Sequence, residues 1–500
     1  MMNRKILQRV VVSGVLLAAV AAVSAVRPLR QAQDRPNILF VIADDVSHDS
    51  LGVTGCSYIK TPNVDRMAAE GVRFNNVFCC NPKCAPARAS LVTGRYSWQL
   101  EEAANHWPHF PEKFKFYPHL LREAGYHVGF TGKGWSPGTY ATEDNPAGPE
   151  YKGKFIKPPY KAISNTDYAG NFRGFLEEKT PEQPFCFWLG TREAHRGFEK
   201  GGWKKAGRNL EDAVVPPYWP DTPAVRGDLL DYANEVEWID QQVGRVFQTL
   251  EKAGELDNTL IVFTSDHGMP FPRVKGQVFE DGIHVPLIAW WRGVIQPGRV
   301  VEDFINFPDV APTFMAVAGE SPHPQMTGKS FLDVLRAPTS GQIDPSRTHA
   351  LVGKERHDTG RAGDEGTDLG YPVRGIRTKD YFYVHNFVPD RWPAGNPEYG
   401  LRNCDGGPVK SLLNQLAPGT DDYRFYELNF GKRPEDMLYA IDKDPACMHN
   451  LAGNPEVAEL MKRLREQMEA ELTHQQDPRM LGQGDRFDAY PYMGKPFDYE

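Results

Sequence analysis

A cysteine at position 84 lies in a stretch whose residue types suit a reactive group. The twelve residues that begin there are Cys-Ala-Pro-Ala-Arg-Ala-Ser-Leu-Val-Thr-Gly-Arg. Pro86 suits a first helical position, where a missing N–H costs nothing, and Gly94 suits a helix exit, so the pattern predicts a loop that enters a short helix. Cys84 would then lie at the positive end of this helix, with Arg88 one turn later on the same side. An inert buried thiol fits the local pattern equally well.

Carboxylates follow two apolar runs elsewhere in the chain. The run 36–43 ends abruptly at Asp44 and Asp45, and the run 260–264 is followed two residues later by Asp266. Such runs suit strands that are buried on both faces of a mainly parallel sheet, where ligand sites lie at the carboxyl ends of strands. A lone Asp-Asp pair is more typical of a solvated helix cap, but three converging carboxylates suit a hard, oxygen-preferring cation.

The remaining pattern indicates a large α/β unit followed by a smaller one. A third buried strand is predicted at 185–189, and apolar residues at three- and four-residue spacing predict a helix over 228–253. Residues 354–370 are polar, charged and glycine-rich, which is typical of a surface loop. Residues 373–387 mix β-branched and aromatic residues with charges, as antiparallel strands with one wet face do. The last predicted elements are a short strand at 437–441, an amphipathic helix at 455–474 and a tail at 476–500 without a readable element.

Composition excludes some classes of function. The 500 residues suffice for one large α/β domain with a smaller appendage. The net charge of −8, from 57 basic and 65 acidic residues, shows no footprint of nucleic-acid binding. A hydrophobic content of 40% indicates a well-cored globular protein.

The amino terminus has the pattern of a targeting segment. Three basic residues within the first nine precede the apolar run 10–23, and Val-Ser-Ala at 23–25 fits a cleavage site. We therefore predict a signal peptide over 1–25 and a polar linker over 26–35. A membrane anchor is the alternative, but the run is short for a span and contains a serine and a glycine. We expect export, in a bacterium to the periplasm or the medium, with no stable membrane insertion after cleavage.

The motif Cys-x-Pro-x-Arg at 84–88, followed by Leu-x-Thr-Gly-Arg at 91–95, closely resembles the signature of the type I sulfatases. In that family a maturation enzyme oxidises the cysteine to formylglycine, an aldehyde whose hydrate is the nucleophile. Ala87 stands where many members carry serine. The chain has seven cysteines, and conversion of Cys84 would leave six that could pair in an exported protein.

The order of predicted elements over roughly residues 36–475 also resembles the sulfatase fold. The resemblance implies an α/β fold with an alkaline-phosphatase-like, mostly parallel sheet sandwiched by helices. It further implies a smaller C-terminal domain of antiparallel sheet plus helix. We accordingly predict a catalytic domain over 36–345 and a C-terminal domain with its tail over 346–500.

The resemblance extends to the metal site. It implies one Ca²⁺ ion bound by Asp44, Asp45, Asp266 and the residue at His267, with the formylglycine derived from Cys84 alongside. Many members carry asparagine where this chain has His267, which is a softer donor.

Three further residues match functional positions of the family. Lys133, in Thr-Gly-Lys-Gly-Trp, and Lys275, in Lys-Gly-Gln-Val-Phe-Glu-Asp-Gly, match the lysines that contact the sulfate, together with Arg88. Trp135 stands where many relatives place a histidine, whose contact is then missing or supplied from elsewhere. His195 follows the third predicted strand, and we expect it to protonate the leaving group. Sulfate-ester cleavage spreads negative charge over equatorial oxygens, so positioned cations supply most of the rate.

Shorter segments concern the substrate. Residues 265–272, 371–374 and 384–386 resemble the heparan N-sulfatase (sulfamidase) branch and its bacterial relatives. This implies a sulfated carbohydrate substrate, with N-sulfoglucosamine at a chain end as the leading candidate. An O-sulfatase that acts on an algal or host polysaccharide is the alternative. The candidate substrate contacts are Arg356, His357, Arg374, Arg391 and Trp392.

Two other classes of function remain. A phosphodiesterase or phosphomutase can use the same fold, but those enzymes normally carry serine or threonine as the nucleophile and a two-metal ligand set, which Cys84 does not match. A non-catalytic glycan-binding protein would keep the fold and lose the site. Every charge that the catalysis needs is present, apart from the histidine replaced by Trp135.

Overall fold

The computed structural model of the chain describes residues 35–363 and 368–499. The predicted signal peptide and all but the last residue of the predicted linker lie outside these ranges. The strands are β1 (Asn37–Ala43), β2 (Val72–Phe78), β3 (His109–Phe110), β4 (His127–Gly132), β5 (Thr139–Tyr140), β6 (Phe185–Gly190), β7 (Thr259–Ser265), β8 (Leu287–Trp290), β9 (Arg299–Asn306), β10 (His349–Lys354), β11 (Val373–Thr378), β12 (Tyr381–Asn386) and β13 (Asp436–Ala440).

Helices connect and cover these strands. The α-helices are α1 (Pro62–Glu70), α2 (Cys84–Thr93), α3 (Tyr117–Glu123), α4 (Tyr168–Glu178), α5 (Gly202–Lys205), α6 (Pro223–Ala253), α7 (Glu280–Ile283), α8 (Val310–Val317), α9 (Leu332–Arg336), α10 (Pro408–Leu413), α11 (Tyr423–Phe430), α12 (Ala458–His474) and α13 (Arg486–Ala489). Within the described ranges, no helix is both long enough and apolar enough to cross a lipid bilayer.

A seven-stranded sheet forms the centre of the molecule. Its strand order is β4-β6-β1-β7-β8-β2-β9, and only β8 runs antiparallel to its neighbours. Alternate side chains of β1 enter two separate hydrophobic cores, one on each face of the sheet. Helix α6 packs on one face, and α2 and α8 pack on the other. The predicted sheet sandwiched by helices is therefore confirmed, and the fully apolar runs are explained by burial on both faces.

Helix α6 begins five residues earlier than the apolar spacing indicates. Thr222 caps its amino terminus, since the side chain of Thr222 accepts a hydrogen bond from the Val225 N–H, and Pro223 occupies the first turn. The helix ends as predicted before Gly254, which has the left-handed φ of 71°. The start of α2 also differs from the prediction, because the helix begins at Cys84 and Pro86 is its third residue. Pro86 still replaces an N–H that has no helical acceptor.

The strands β10 to β13 form a separate antiparallel sheet in chain order. Side chains on one face of this sheet belong to the hydrophobic core on the side of the central sheet that α2 and α8 cover. Side chains on the other face, such as Leu351 and Ile376, pack against Leu464, Met468 and Leu472 of α12. The predicted smaller antiparallel sheet with a packed helix is confirmed.

Two expectations for polar segments were wrong. The segment predicted as a surface loop over 354–370 is buried from Lys354 to His357 and again at Arg361. The tail contains α13, and the Asn105 amide donates to the Phe487 carbonyl oxygen. Residues 475–491 cover part of the loop, since Arg479 pairs with Glu355 and the carbonyl oxygens of Tyr490 and Pro491 accept from Arg356. Other segments supply the partners of His357 and Arg361, which contact Asn81 and the Trp392 carbonyl oxygen.

Candidate active site

The predicted catalytic residues meet at one edge of the central sheet. Strands β4, β6, β1 and β7 are adjacent and parallel, so their carboxyl ends lie side by side. The residues that directly follow β4, β1 and β7 are Lys133, Asp44, Asp45, Asp266 and His267. Parallel pairing of distant segments therefore brings together residues that are more than 200 positions apart in the chain.

Asp44, Lys133 and Arg88 form one charged group. The Lys133 ammonium lies 2.7 and 2.6 Å from the two carboxylate oxygens of Asp44. The Arg88 guanidinium donates to Asp266 at 2.9 Å, to Asp44 at 3.3 Å and to the carbonyl oxygen of Lys133 at 2.8 Å. Arg88 is fully buried, and with acceptors on three sides its orientation is set by the strand ends.

Cys84 occupies the centre of this edge. Its sulfur lies 3.3 Å from His267 Nε2 and 3.8 Å from Asp44 Oδ1. Burial alone would raise the pKa of the thiol, but the positive charges of Lys133 and Lys275 bring it well below its ordinary value. The indole N–H of buried Trp135 donates to the Ala85 carbonyl oxygen at 3.1 Å and so holds the first turn of α2.

Four of the side chains fit a metal ion. Ligand atoms of Asp45, Cys84, Asp266 and His267 all lie within 4.8 Å of one another. The buried Asp45 Oδ1 has no hydrogen-bond partner among the described residues and lies 3.2 Å from His267 Nε2. Burial disfavours the charged imidazole, but Asp266 and Asp45 raise the pKa of His267 to about 9. A cluster of carboxylates with an unpartnered oxygen suits a divalent cation. Asp44, also predicted as a ligand, pairs with Lys133 and Arg88, and its Oδ1 lies 3.8 Å from the Cys84 sulfur.

Lys275 joins this cluster through a residue that the sequence pattern did not reveal. Its ammonium lies 2.7 Å from Asp45 and 2.8 Å from Asp405. Asp405 lies in the turn-like stretch Asn-Cys-Asp-Gly-Gly, where an aspartate has ordinary local roles. Burial would raise its pKa, but the positive charge of Lys275 brings the pKa far below the usual range. No local signal distinguished Asp405, since its partner is 130 residues away.

An open cavity of about 450 Å³ leads to the cluster. Asp44, Lys133 and His195 line it, together with Glu235 of α6. The His195 Nδ1 lies 2.6 Å from the Arg196 carbonyl oxygen, which can only accept, so this nitrogen carries the proton.

Glu235 is 2% exposed and has no hydrogen-bond partner among the described residues. Burial raises its pKa to about 9, with a further contribution from the charge of Glu193. Glu235 was not predicted, because its position on α6 looks like part of a polar face.

None of the five predicted substrate contacts lines this cavity. Arg356 is buried, and its guanidinium donates to the carbonyl oxygens of Tyr490 at 2.7 Å and Pro491 at 3.1 Å. His357 is also buried, with Nε2 at 2.7 Å from Asn81 Oδ1. Both side chains therefore hold parts of the chain together.

The other three also contact the chain itself. Arg374 is fully buried and pairs with Asp477 and Glu355. The Arg391 guanidinium lies 3.0 Å from Asp488. Trp392 is partly exposed, and the Lys432 ammonium lies 5.6 Å from its ring centroid. His357 nevertheless lies close to the active site, because its Nδ1 is 3.2 Å from where a Cβ on Gly276, the neighbour of Lys275, would lie. All seven cysteines, which lie within the described ranges, are free thiols, so six of them do not form three pairs.

The sequence of the chain is similar to those of known sulfatases. The sequence profile of the sulfatase family matches residues 36–320. An ulvan-active sulfatase of Formosa agariphila is 27% identical over 477 residues, which cover 88% of this chain and 75% of that protein. The human N-sulphoglucosamine sulphohydrolase is 28% identical over 480 residues, covering 86% of this chain and 89% of that protein.

Solved structures with lower identity share the fold. A structure of a protein in complex with its substrate D-glucosamine-2-N,6-O-disulfate matches with a TM-score of 0.63 at 21% identity, over 89% of this chain and 98% of that chain. The phosphonate monoester hydrolase of Agrobacterium radiobacter has a TM-score of 0.58 at 19% identity and covers 88% and 96%. The fold is thus shared by proteins with different named activities.

Proposed function

We propose that the chain, a member of the sulfatase family that hydrolyses sulfated carbohydrates, does so with a formylglycine made from Cys84 and with bound Ca²⁺. The match of residues 36–320 to the family assigns the chain to it. The observation that carries the proposal is the position of Cys84, whose sulfur lies at the first residue of α2 within 3.8 Å of both His267 and Asp44. We further propose that a leader over 1–25 exports the protein and that the domain boundary lies near residue 345.

The residues that would hold Ca²⁺ are Asp44, Asp45, Asp266 and His267, with an oxygen on residue 84. A divalent cation bound there withdraws charge from a sulfate oxygen and strengthens its binding. The unpartnered Asp45 Oδ1 supports this ligand set. The chemistry of the donors, mostly carboxylate oxygens, favours Ca²⁺ over softer metals.

The lysines and Arg88 are suited to attract and position a sulfate. The charges of Lys133 and Lys275 both act on the position of Cys84, as the depressed thiol pKa indicates. A hydrated formylglycine at position 84 would supply one hydroxyl to attack sulfur, and loss of the proton from its second hydroxyl would then expel sulfate and restore the aldehyde. His195 carries its proton on Nδ1 toward Arg196, so Nε2 is the atom available to deliver a proton to the departing oxygen or nitrogen. We propose that Lys133, Lys275 and Arg88 stabilise the negative charge of the transition state.

The substrate class can be tested with defined sugars. N-sulfoglucosamine is the leading candidate because the human N-sulphoglucosamine sulphohydrolase is 28% identical over most of both chains. An algal polysaccharide is the second candidate because an ulvan-active sulfatase is similar at 27% identity. The assay is free sulfate released from N-sulfoglucosamine, 6-O- and 2-O-sulfated sugars and ulvan fragments. Release only from O-sulfated sugars overturns the sulfamidase assignment, and release of phosphate but never sulfate from matched esters overturns the proposed function.

Conversion of Cys84 can be tested directly. Peptide mass spectrometry on active protein from a host with a formylglycine-generating enzyme is expected to find the aldehyde or its hydrate at position 84. The Cys84→Ala variant should lose turnover and keep its unfolding transition, while the matched Cys56→Ala variant should keep both. An unmodified thiol in fully active protein would contradict the proposal.

A further inference from the structure

A second cavity of about 860 Å³ lies next to the active-site cavity. The same two segments line both cavities. On α6, Glu235 faces the active-site cavity, and its neighbours Asn234 and Trp238 face the second one. On the segment before α4, Ala162 and Ser164 line the first cavity, and Tyr160 lines the second. The two cavities are therefore neighbours along the same two segments, an arrangement that suits a ligand longer than one sugar.

The wall of the second cavity has aromatic faces. Tyr58, Tyr160 and Trp238 all line it. Aromatic side chains offer large amphipathic surfaces with little conformational entropy to lose, and such surfaces suit the flat faces of sugar rings. Tyr160 is partly exposed, and the Lys205 ammonium lies 5.1 Å from its ring centroid.

Two buried polar groups in this wall have no partner among the described residues. They are the Asn234 amide nitrogen and the Trp238 indole nitrogen, and the two residues are 5% and 6% exposed. Asn234 Oδ1 already accepts from Arg208 at 2.9 Å, so only the amide donor is unused. Unpaired buried donors cost free energy unless an acceptor is supplied. Both nitrogens are shielded from solvent, so a small movement of the side chains would bring them to the hydroxyl acceptors of a bound sugar.

The charges of the wall favour an anionic ligand. Lys60 and Lys157 line the cavity, and neither ammonium forms an ion pair among the described residues. The third cation, Arg208, is neutralised by Glu237 at 2.7 Å. Asp212 also lines the cavity without an ion pair among the described residues, so the wall carries one positive charge in excess, which favours a sulfated or carboxylated sugar over a cationic ligand.

We propose that the second cavity binds the sugars adjacent to the residue that loses its sulfate, so that the preferred substrate is an anionic oligosaccharide and not a monosaccharide. The proposal rests on the proposed function only in assuming that the sulfated sugar binds in the active-site cavity. The binding itself requires no catalysis, which allows the two to be tested separately.

The experiment measures binding to the inactive Cys84→Ala protein by calorimetry. The probes are a heparan sulfate tetrasaccharide with terminal N-sulfoglucosamine, an ulvan tetrasaccharide and the corresponding monosaccharides. At least one tetrasaccharide is expected to bind tenfold or more tightly than its monosaccharide. In the Cys84→Ala background, Tyr160→Ala should remove most of this difference, and Trp238→Phe, which keeps the ring and removes the donor, should weaken tetrasaccharide binding about fivefold.

The matched control is Tyr423→Ala on α11, which should leave the binding of every probe unchanged. Equal affinity for tetrasaccharides and monosaccharides, or an equal effect of the Tyr160 and Tyr423 substitutions, overturns the proposal. Sulfate release by the unsubstituted protein is scored on the same sugars. Tight tetrasaccharide binding without any sulfate release would overturn the proposed function and leave the second site standing.

Discussion

Replacing Arg374 by glutamine is expected to weaken the fold without changing substrate affinity. The buried guanidinium donates to Asp477 at 2.6 and 3.0 Å and to Glu355 at 2.8 Å. Burial opposes its charge, but the two carboxylates raise the pKa of Arg374 above its ordinary value. A neutral glutamine would leave part of this negative charge buried without a counter-charge.

The size of the effect follows from the remaining partners. Removing one member of a buried ion pair costs about 3–5 kcal/mol. Glu355 retains the Arg479 guanidinium at 2.6 Å, so Asp477 is the carboxylate that loses its counter-charge. We therefore expect a loss of about 3 kcal/mol in the free energy of unfolding, at the lower end of that range.

Urea unfolding followed by tryptophan fluorescence measures this loss. The Trp98 ring centroid lies 5.0 Å from the Arg374 guanidinium and reports on the local structure. The control is Arg463→Gln at an exposed position of α12, which should change the free energy of unfolding by less than about 0.5 kcal/mol. An unchanged urea midpoint in Arg374→Gln, together with a tenfold rise in KM, would refute the reasoning and restore Arg374 as a substrate contact.

Three other substitutions test the site and its frame. Asp45→Asn should lose bound divalent metal and activity together, because Asp45 supplies the unpartnered oxygen, and elemental analysis that finds full metal content would contradict this. In the unsubstituted protein, Glu235 has a pKa of about 9 in the folded state, so the folded protein keeps a proton that the unfolded chain has already released, and stability falls as pH rises from about 5 to 9. Glu235→Gln removes this titration and should flatten the fall. Urea midpoints across the window measure it, and identical slopes would count against it. Gly94→Ala should cost about 1–2 kcal/mol, because Gly94 has a φ of 67° at the end of α2, and an unchanged thermal midpoint would show otherwise.

The central sheet was predictable because its strands are buried on both faces. The runs at β1, β6 and β7 contain few polar residues, and each ends abruptly at polar side chains. Once the runs are placed in one parallel sheet, the convergence of Asp44 and Asp266 follows from the common edge. The motif around Cys84 was recognisable for a different reason, because its residues are close together in the sequence.

The remaining features depend on contacts between distant segments. The polar stretch 354–370 has the composition of a solvated loop, and its burial depends on partners from distant segments, among them Asn81, Trp392 and Arg479. The local sequence around a buried arginine such as Arg356 does not differ from that around an exposed one. Its assignment as a substrate contact could therefore not be tested before its partners were known. Asp405 was missed because a single aspartate in a glycine-rich turn carries no signature of its distant lysine.

The cover formed by residues 475–491 has a consequence for the order of events during synthesis. These residues are made late, yet they hydrogen-bond to Trp98 and Asn105, which follow closely after α2. Cys84, which is 2% exposed, contacts His267, a residue made long after it, so its buried environment forms only after much of the chain has been made. We expect an enzyme that modifies the Cys84 side chain to act before that point, when the side chain is still accessible.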